Sequence, residues 1–149
     1  MNIDEIISYC LKTLKDTVLI KSFGEKSLFY NPNNKLKRGI YILTIKDNDG
    51  DNDKSSQLNR DGIFRVNIGI KKNTFISLFG GVPKRPLKGY TVNMPYDFTA
   101  LNKIMPHPIY AWMCWICVLN PSDEIFEKLK HLINESYEYA KEKFNKKKF

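Results

Sequence analysis

The chain has 149 residues, which suits one domain, and its hydrophobic fraction of 42% and aromatic fraction of 13% exclude global disorder. Its formal net charge is +8, but the last nine residues hold five lysines and one glutamate, so half of the excess belongs to the tail. No run approaches the roughly 20 apolar residues that span a bilayer. The acidic start M-N-I-D-E also differs from a secretory signal. We therefore expect a cytoplasmic protein with no membrane partner.

The first half of the chain predicts one helix followed by strands. Apolar residues at helical spacing over 3–14 predict an amphipathic helix of about 13 residues. The β-prone runs 17–23 and 26–30 predict a hairpin, and 40–45 predicts a third strand.

Residues 47–62 form a polar run with four alternate aspartates, Asp47, Asp49, Asp51 and Asp53. An EF-hand loop would need glycine at its sixth position and glutamate at its twelfth, and neither possible start supplies them. We therefore predict a solvated mobile loop in preference to a calcium site.

The second half predicts a half-buried strand over 63–70, with Arg65 and Asn67 on its polar face, and then a short helix over 71–79. A helical turn or two is expected from Asp97 to Met105. Residues 114–119 are all apolar, which is typical of a central strand buried on both faces.

Pro121 and Ser122 open the longest helix, whose basic end, residues 141–149, is expected to fray. Residues 1–149 thus predict one α+β domain of two layers. Its mainly antiparallel sheet is covered by the N- and C-terminal helices.

The cysteines are Cys10, Cys114 and Cys117, and all lie among apolar residues, so reduced core thiols are expected. The C-x2-C spacing of the last two would point them to opposite faces of a strand, and no second ligand pair accompanies them. No phosphate-binding glycine motif occurs either. We expect neither a metal site nor a cofactor.

Four blocks carry a resemblance to a known family: R-V-N-I-G, D-F-T-A-L, M-P-H-P-I-Y-A and W-I-C-V-L-N-P-S. In this order, and followed by a long helix, they resemble a family of small bacterial proteins whose function is unknown. The layout is also faintly similar to MmcQ/YjbR-like α+β proteins, some of which are suspected of binding DNA. The resemblance implies a fold and the location of a site, between Arg65 and Ser122.

The first functional hypothesis is a small-ligand or partner-binding module, with its site where the polar face of strand 63–70 meets the turn at 105–112. Arg65 would anchor a small anionic ligand and Asn67 would donate or accept a hydrogen bond. His107 would lie at the turn, and Tyr110 and Trp112 would supply an apolar wall. If so, Arg65→Ala should change stability by less than about 1 kcal/mol.

The second hypothesis is an enzyme in which His107 acts as general acid or base and Asp97 orients it. The competing structural interpretation is that His107 hydrogen-bonds a backbone carbonyl and fixes the P-H-P turn. No nucleophile, metal or cofactor signature accompanies the pair.

The third hypothesis is non-specific nucleic-acid binding through a basic loop with one aromatic residue and through the tail. The loop residues are Lys84, Arg85, Lys88 and Tyr90, and the tail is Lys141 to Phe149. A solvated loop and a solubilising helix end are the favoured interpretation. The oligomeric state stays open.

Overall fold

All 149 residues are described by a computed structural model with six strands and three helices. The strands are β1 Thr17–Ser22, β2 Glu25–Tyr30, β3 Ile40–Lys46, β4 Arg65–Gly69, β5 Met105–Pro106 and β6 Trp115–Leu119. The helices are α1 Ile3–Thr13, α2 Lys72–Phe79 and α3 Asp123–Asn145. These elements confirm the predicted α+β class, with terminal helices and an antiparallel sheet.

The six strands form one antiparallel sheet in the order β1-β2-β3-β4-β6-β5. Strand β6 therefore has a neighbour on each side, as predicted, although β5 is only two residues long. Strand β6 begins one residue later than predicted, because Cys114 adopts a left-handed backbone with φ of 65°. The chain enters the strand through a short 3₁₀ turn over Ala111–Met113.

The main core lies between one face of the sheet and the helices. Val66 and Ile68 of β4 and Ile116 and Val118 of β6 all point into it, because side chains two apart share a face. Helix α3 packs mainly against β3, and its N-terminus is capped by Ser122, whose Oγ accepts the N–H of Ile125 at 3.2 Å. The apolar face of α1 completes this core.

The opposite face of the sheet is covered by loops. Leu58, from the loop expected to be solvated, is buried against Met105, Cys117 and Leu119. The prediction of a fully solvated loop is therefore wrong, and the reason is tertiary: one apolar residue anchors a polar run onto the sheet. Asp49 stabilises this anchor, since its Oδ1 accepts the N–H of Leu58 at 2.8 Å.

The predicted helical turns between Asp97 and Met105 do not form a helix. Instead, Asp97 Oδ1 accepts the N–H of Thr99 at 3.0 Å, and Asn102 takes a left-handed φ of 57°. Asn102 Oδ1 then accepts the N–H of Ser122 at 2.7 Å. Side-chain hydrogen bonds to the backbone thus replace the helical ones over this segment.

Helix α3 continues well into the basic tail. Phe144 is buried, and its ring meets that of Tyr30 edge-on at 5.4 Å between centroids. The helix ends at Asn145, and the largely exposed ring of Phe149 then lies 5.0 Å from that of Phe144. None of the three helices combines the length and apolar character that crossing a bilayer requires.

Candidate functional site

A cavity of about 280 Å³ lies on the loop-covered face of the sheet, and we call it the sheet-face cavity. Its polar lining comprises Glu25, Thr44, Asp53, Arg65, Asn67 and His107. Its other walls are Tyr41, Tyr110, Met113 and Trp115. The structure therefore brings together four of the predicted site residues: Arg65, Asn67, His107 and Tyr110.

Alternation along β4 explains why Arg65 and Asn67 share this cavity. They are two residues apart, on the face opposite the core-facing Val66. Register places Asn67 between Thr44 of β3 and Cys117 of β6. The R-V-N-I-G block therefore contributes every second residue to the cavity side of the sheet.

Arg65 is only 1% exposed, and each of its three guanidinium nitrogens has a partner. Its two terminal nitrogens donate to the two carboxylate oxygens of Asp53, the Nη1–Oδ1 pair at 3.0 Å. Nη1 also donates to Ser56 Oγ at 2.9 Å, and Nε donates to Asn67 Oδ1 at 2.7 Å. A buried charge needs such pairing, because removal from water is otherwise costly.

The charge of Arg65 is therefore compensated within the chain. Burial alone would lower the pKa of Arg65, but the hydrogen bonds and attraction to Asp53 outweigh it and leave that pKa raised. The predicted anchoring of an anion by Arg65 loses its basis, since this guanidinium already holds a carboxylate. The sequence pattern of β4 could not show this partner, which comes from the aspartate-rich loop.

Asn67 extends the same network across the sheet. Its Oδ1 accepts from Arg65, and its Nδ2 donates to Thr44 Oγ1 at 3.0 Å. Because both ends of the amide are engaged, its orientation is fixed. The polar floor of the cavity is thus pre-organised.

His107 is 2% exposed and is held in one tautomer by its own turn. Nδ1 accepts the backbone N–H groups of Ile109 and Tyr110, each at 3.0 Å. Nδ1 must therefore carry the lone pair, and the proton of the neutral ring lies on Nε2. His107 therefore hydrogen-bonds its own turn, but not as predicted. The imidazole accepts from two backbone amides and does not donate to a backbone carbonyl.

The free nitrogen of His107 borders the cavity. Nε2 makes no hydrogen bond within the chain. The side-chain polar atoms that are both unpaired and sealed from solvent belong to Thr17 and Ser55, so Nε2 is not sealed. Burial first, and then the positive charges of Arg65 and Lys46, lower the pKa of His107 well below its ordinary value of 6.5. The imidazole is therefore a neutral N–H donor at neutral pH.

Asp97 does not take part in this site. Its carboxylate is exposed and accepts the N–H and the hydroxyl of Thr99, the latter at 2.6 Å. Those hydrogen bonds lower the pKa of Asp97. The carboxylate makes no hydrogen bond to His107, and so the structure supplies no orienting partner of the kind that the enzyme hypothesis required.

Trp112, predicted for the apolar wall, lies outside the cavity, and Trp115 occupies that position. The left-handed turn at Cys114 separates the two, so that Trp115 alternates with Cys117 on the cavity side of β6. Trp112 instead lies beneath the guanidinium of Arg85, 4.8 Å from ring centroid to Cζ.

Glu25 and Asp53 are lining residues that the sequence alone did not indicate. Glu25 opens β2 and makes no ion pair. Burial raises the pKa of Glu25 above its ordinary 4.5, although Lys46 and Arg65 oppose that effect. The alternate aspartates of the loop were a signal for Asp53, but they suggested calcium and not an internal ion pair.

The aspartates of the loop serve different partners. Asp49 accepts from Leu58, and Asp53 faces inward to Arg65. No three acidic, histidine or cysteine side chains converge on a point where they could hold a metal ion.

Two further cavities flank this region. One of about 340 Å³ lies beyond the wall formed by Tyr41 and Trp115, and it is lined by Lys72 and Lys143. The other, of about 700 Å³, is a wide groove between the start of α1 and residues 58–64. Neither is lined by a histidine.

Comparison with protein families gives one match: the profile described as "Family of unknown function (DUF6194)" covers residues 1–149. Comparison with curated proteins finds no match, and comparison with solved structures finds none. An uncharacterised family, as the four sequence blocks suggested, is thus confirmed, whereas the faint similarity to MmcQ/YjbR-like proteins stays a prediction. This chain belongs to the DUF6194 family of unknown function.

Proposed function

We propose that the protein is a small-ligand-binding module and that the sheet-face cavity is its binding site. The observation that carries this proposal is the imidazole of His107, whose Nε2–H borders the cavity without a partner in the chain. Because Nε2 is not sealed from solvent, a ligand acceptor there would take the hydrogen bond that water otherwise supplies.

The remaining lining supports binding of a small molecule. The polar floor is fixed by the bonds among Arg65, Asp53 and Asn67, so little conformational freedom would be lost on binding. Aromatic walls beside a few oriented polar groups are typical of ligand pockets, which usually have volumes of about 300–1,000 Å³. At about 280 Å³ the sheet-face cavity lies just below that range, which suits a small ligand.

Proton abstraction by His107 is less well supported than binding. A general base at the cavity would need its lone pair on Nε2. The two amide hydrogen bonds to Nδ1 instead place the proton on Nε2. The imidazole is thus suited to donate a hydrogen bond to a ligand.

Fluorescence of Trp115 offers a direct test. The chain has two tryptophans, so Trp112→Phe leaves Trp115, on the cavity wall, as the sole indole. This variant should be titrated with small amines, alcohols, amides and carboxylates up to millimolar concentration. We expect at least one class to change its fluorescence and raise its Tm.

A matched pair of variants locates the site. Tyr110 lines the cavity and is 48% exposed, whereas Tyr90 is 68% exposed and lies elsewhere. Tyr110→Ala should weaken the bound compound at least fivefold, and Tyr90→Ala should leave its Kd unchanged. If no compound of any class alters Trp115 fluorescence or Tm, the proposed function is wrong.

A further inference from the structure

Building on the small-ligand function proposed above, we infer that the sheet-face cavity selects a small organic cation. Its ammonium group would lie between Glu25 and the aromatic walls, and a neutral acceptor elsewhere on the ligand would receive the Nε2–H of His107. Three independent features of the lining carry this inference: its net charge, its rings and its one unpaired donor.

The residues that line the cavity carry a formal net charge of −1. Its ionised groups are the carboxylates of Glu25 and Asp53 and the guanidinium of Arg65, while His107 is neutral. Asp53 and Arg65 cancel each other through their two-pronged ion pair. Glu25 is left as the charge that a ligand would meet.

Glu25 forms no ion pair within the chain, although Lys46 and Arg65 both attract its carboxylate, in opposition to the larger effect of burial. Lys46 is its register partner on β3, but the two side chains form no ion pair and Lys46 does not line the cavity. Glu25 is also half-buried, and this partial loss of water raises its pKa. A ligand cation would replace the water that the carboxylate has lost.

The aromatic walls favour the same sign of charge. Tyr41, Tyr110 and Trp115 surround the opening, with the rings of Tyr41 and Trp115 edge-on at 6.1 Å between centroids. The faces of such rings attract ammonium groups and repel anions. An anionic ligand would lie beside these rings and the carboxylate of Glu25 together.

Two lysines lie on the far side of this wall. Lys72 and Lys143 line the neighbouring cavity, which shares Tyr41 and Trp115 with the sheet-face cavity. These two lysines are thus separated from Glu25 by one aromatic layer.

His107 defines the second half of the ligand. Its Nε2–H can donate to a ligand acceptor, and burial, aided by the positive charges of Arg65 and Lys46, lowers the pKa of His107 and keeps the ring neutral, so a hydroxyl or carbonyl oxygen is sufficient. The inferred ligand class is therefore a small amine that also carries a hydroxyl or carbonyl group.

Two matched pairs of probes test the charge alone. Ethanolamine and propyl alcohol have nearly the same shape, as do choline and neohexyl alcohol, and only the first of each pair is a cation. Titration of the Trp112→Phe protein should give a Kd at least tenfold lower for the cation in one or both pairs. In Glu25→Gln this preference should fall below threefold while the affinity for the neutral alcohol stays the same. Glu124→Gln, an exposed change on α3, should retain the preference.

The inference is overturned if neither cation binds more tightly than its alcohol, or if Glu25→Gln retains the tenfold preference. Binding of carboxylates or neutral compounds in the wider titration would still leave the small-ligand function standing. Failure of every compound class would remove both. Far-UV circular dichroism of Glu25→Gln and Glu124→Gln verifies that each variant is folded.

Discussion

Gly69 of β4 lies directly beside Trp115 of β6, and the indole occupies the space in which a side chain at position 69 would stand. A Cβ atom added to Gly69 would lie 2.9 Å from Cε2 of that ring. The last residue of the R-V-N-I-G block is thus glycine for a steric reason. It allows the indole to lie across the strand and form the wall shared by two cavities.

Gly69→Ala should therefore destabilise the protein by about 1–3 kcal/mol, as expected for overpacking of a fixed ring. Gly81→Ala is the matched control, because a Cβ there would meet nothing within 4 Å. Urea unfolding of both variants provides the comparison. If the clash is the cause, the cost of Gly69→Ala should largely disappear in a Trp115→Leu background. An equal cost in both backgrounds would contradict this explanation.

Arg65→Ala should cost about 3–5 kcal/mol, because it leaves the carboxylate of Asp53 without its partner in a partly buried place. This outcome replaces the small effect expected from the sequence, which took Arg65 to be free for a ligand. Arg38→Ala, an exposed arginine outside every ion pair, should change stability by less than about 0.5 kcal/mol. Chemical denaturation measures both, and a change below about 1 kcal/mol in Arg65→Ala would contradict the structural role.

The pH dependence of stability should show the buried, neutral His107. Its folded pKa lies well below 6.5, so the unfolded chain binds a proton first as pH falls below that value. The contribution of neutral His107 to the free energy of unfolding is fully present above pH 6.5. Below that pH it falls by up to about 1.4 kcal/mol per pH unit.

His107→Asn can keep an acceptor near the amides of Ile109 and Tyr110 while removing the titration. The difference in unfolding free energy between wild type and this variant should therefore decline from pH 7 to pH 5. Subtracting the two free energies also cancels the contributions of other titrating groups. One of these is Glu25, whose raised pKa makes stability fall as pH rises, opposite to His107. A difference that does not vary with pH would show that His107 is not neutral and buried.

Phe144 should divide the tail into a structural part and a dispensable part. Phe144→Ala should cost about 3 kcal/mol, because the ring is 8% exposed and packs on Tyr30. Removing residues 146–149 deletes three lysines and an exposed phenylalanine, and should cost less than about 1 kcal/mol. Thermal and urea unfolding of the two variants compare these costs.

The same truncation tests nucleic-acid binding without disturbing the fold. We expect the full chain to show no salt-dependent shift with duplex DNA even at low ionic strength, because the tail lysines follow the C-terminus of α3, where they interact favourably with the helix dipole. A log–log salt slope that falls by about 2.7 on truncation would instead assign three phosphate contacts to the tail.

Local patterns were sufficient to predict much of the fold. The alternation of Arg65 and Asn67 with apolar residues placed both on one face of β4, and Ser122 gave the start of α3. These features depend on periods and caps that act over a few residues. Their bounds differ from those expected by one or two residues.

The site was predicted only in part because its other half comes from tertiary contacts. No local rule shows that Asp53 turns inward to Arg65, or that Leu58 anchors the loop. The prediction that Trp112 forms the cavity wall was wrong, because the left-handed backbone at Cys114 changes which side chains face the cavity. Trp115 forms the wall instead. Such a residue carries a weak sequence signal, because only glycine and asparagine favour that conformation strongly.

The order of the strands also bears on when the cavity forms during folding. Strands β1 to β3 can pair through near neighbours, but β4 meets β6 only after residues 70–114 close into a long loop. Non-local pairings of this kind slow folding and tend to form late. A ligand held between β4 and the β6 side of the sheet would then contact little in the folding transition state. It should lengthen the lifetime of the folded protein by slowing unfolding, with little effect on the refolding rate.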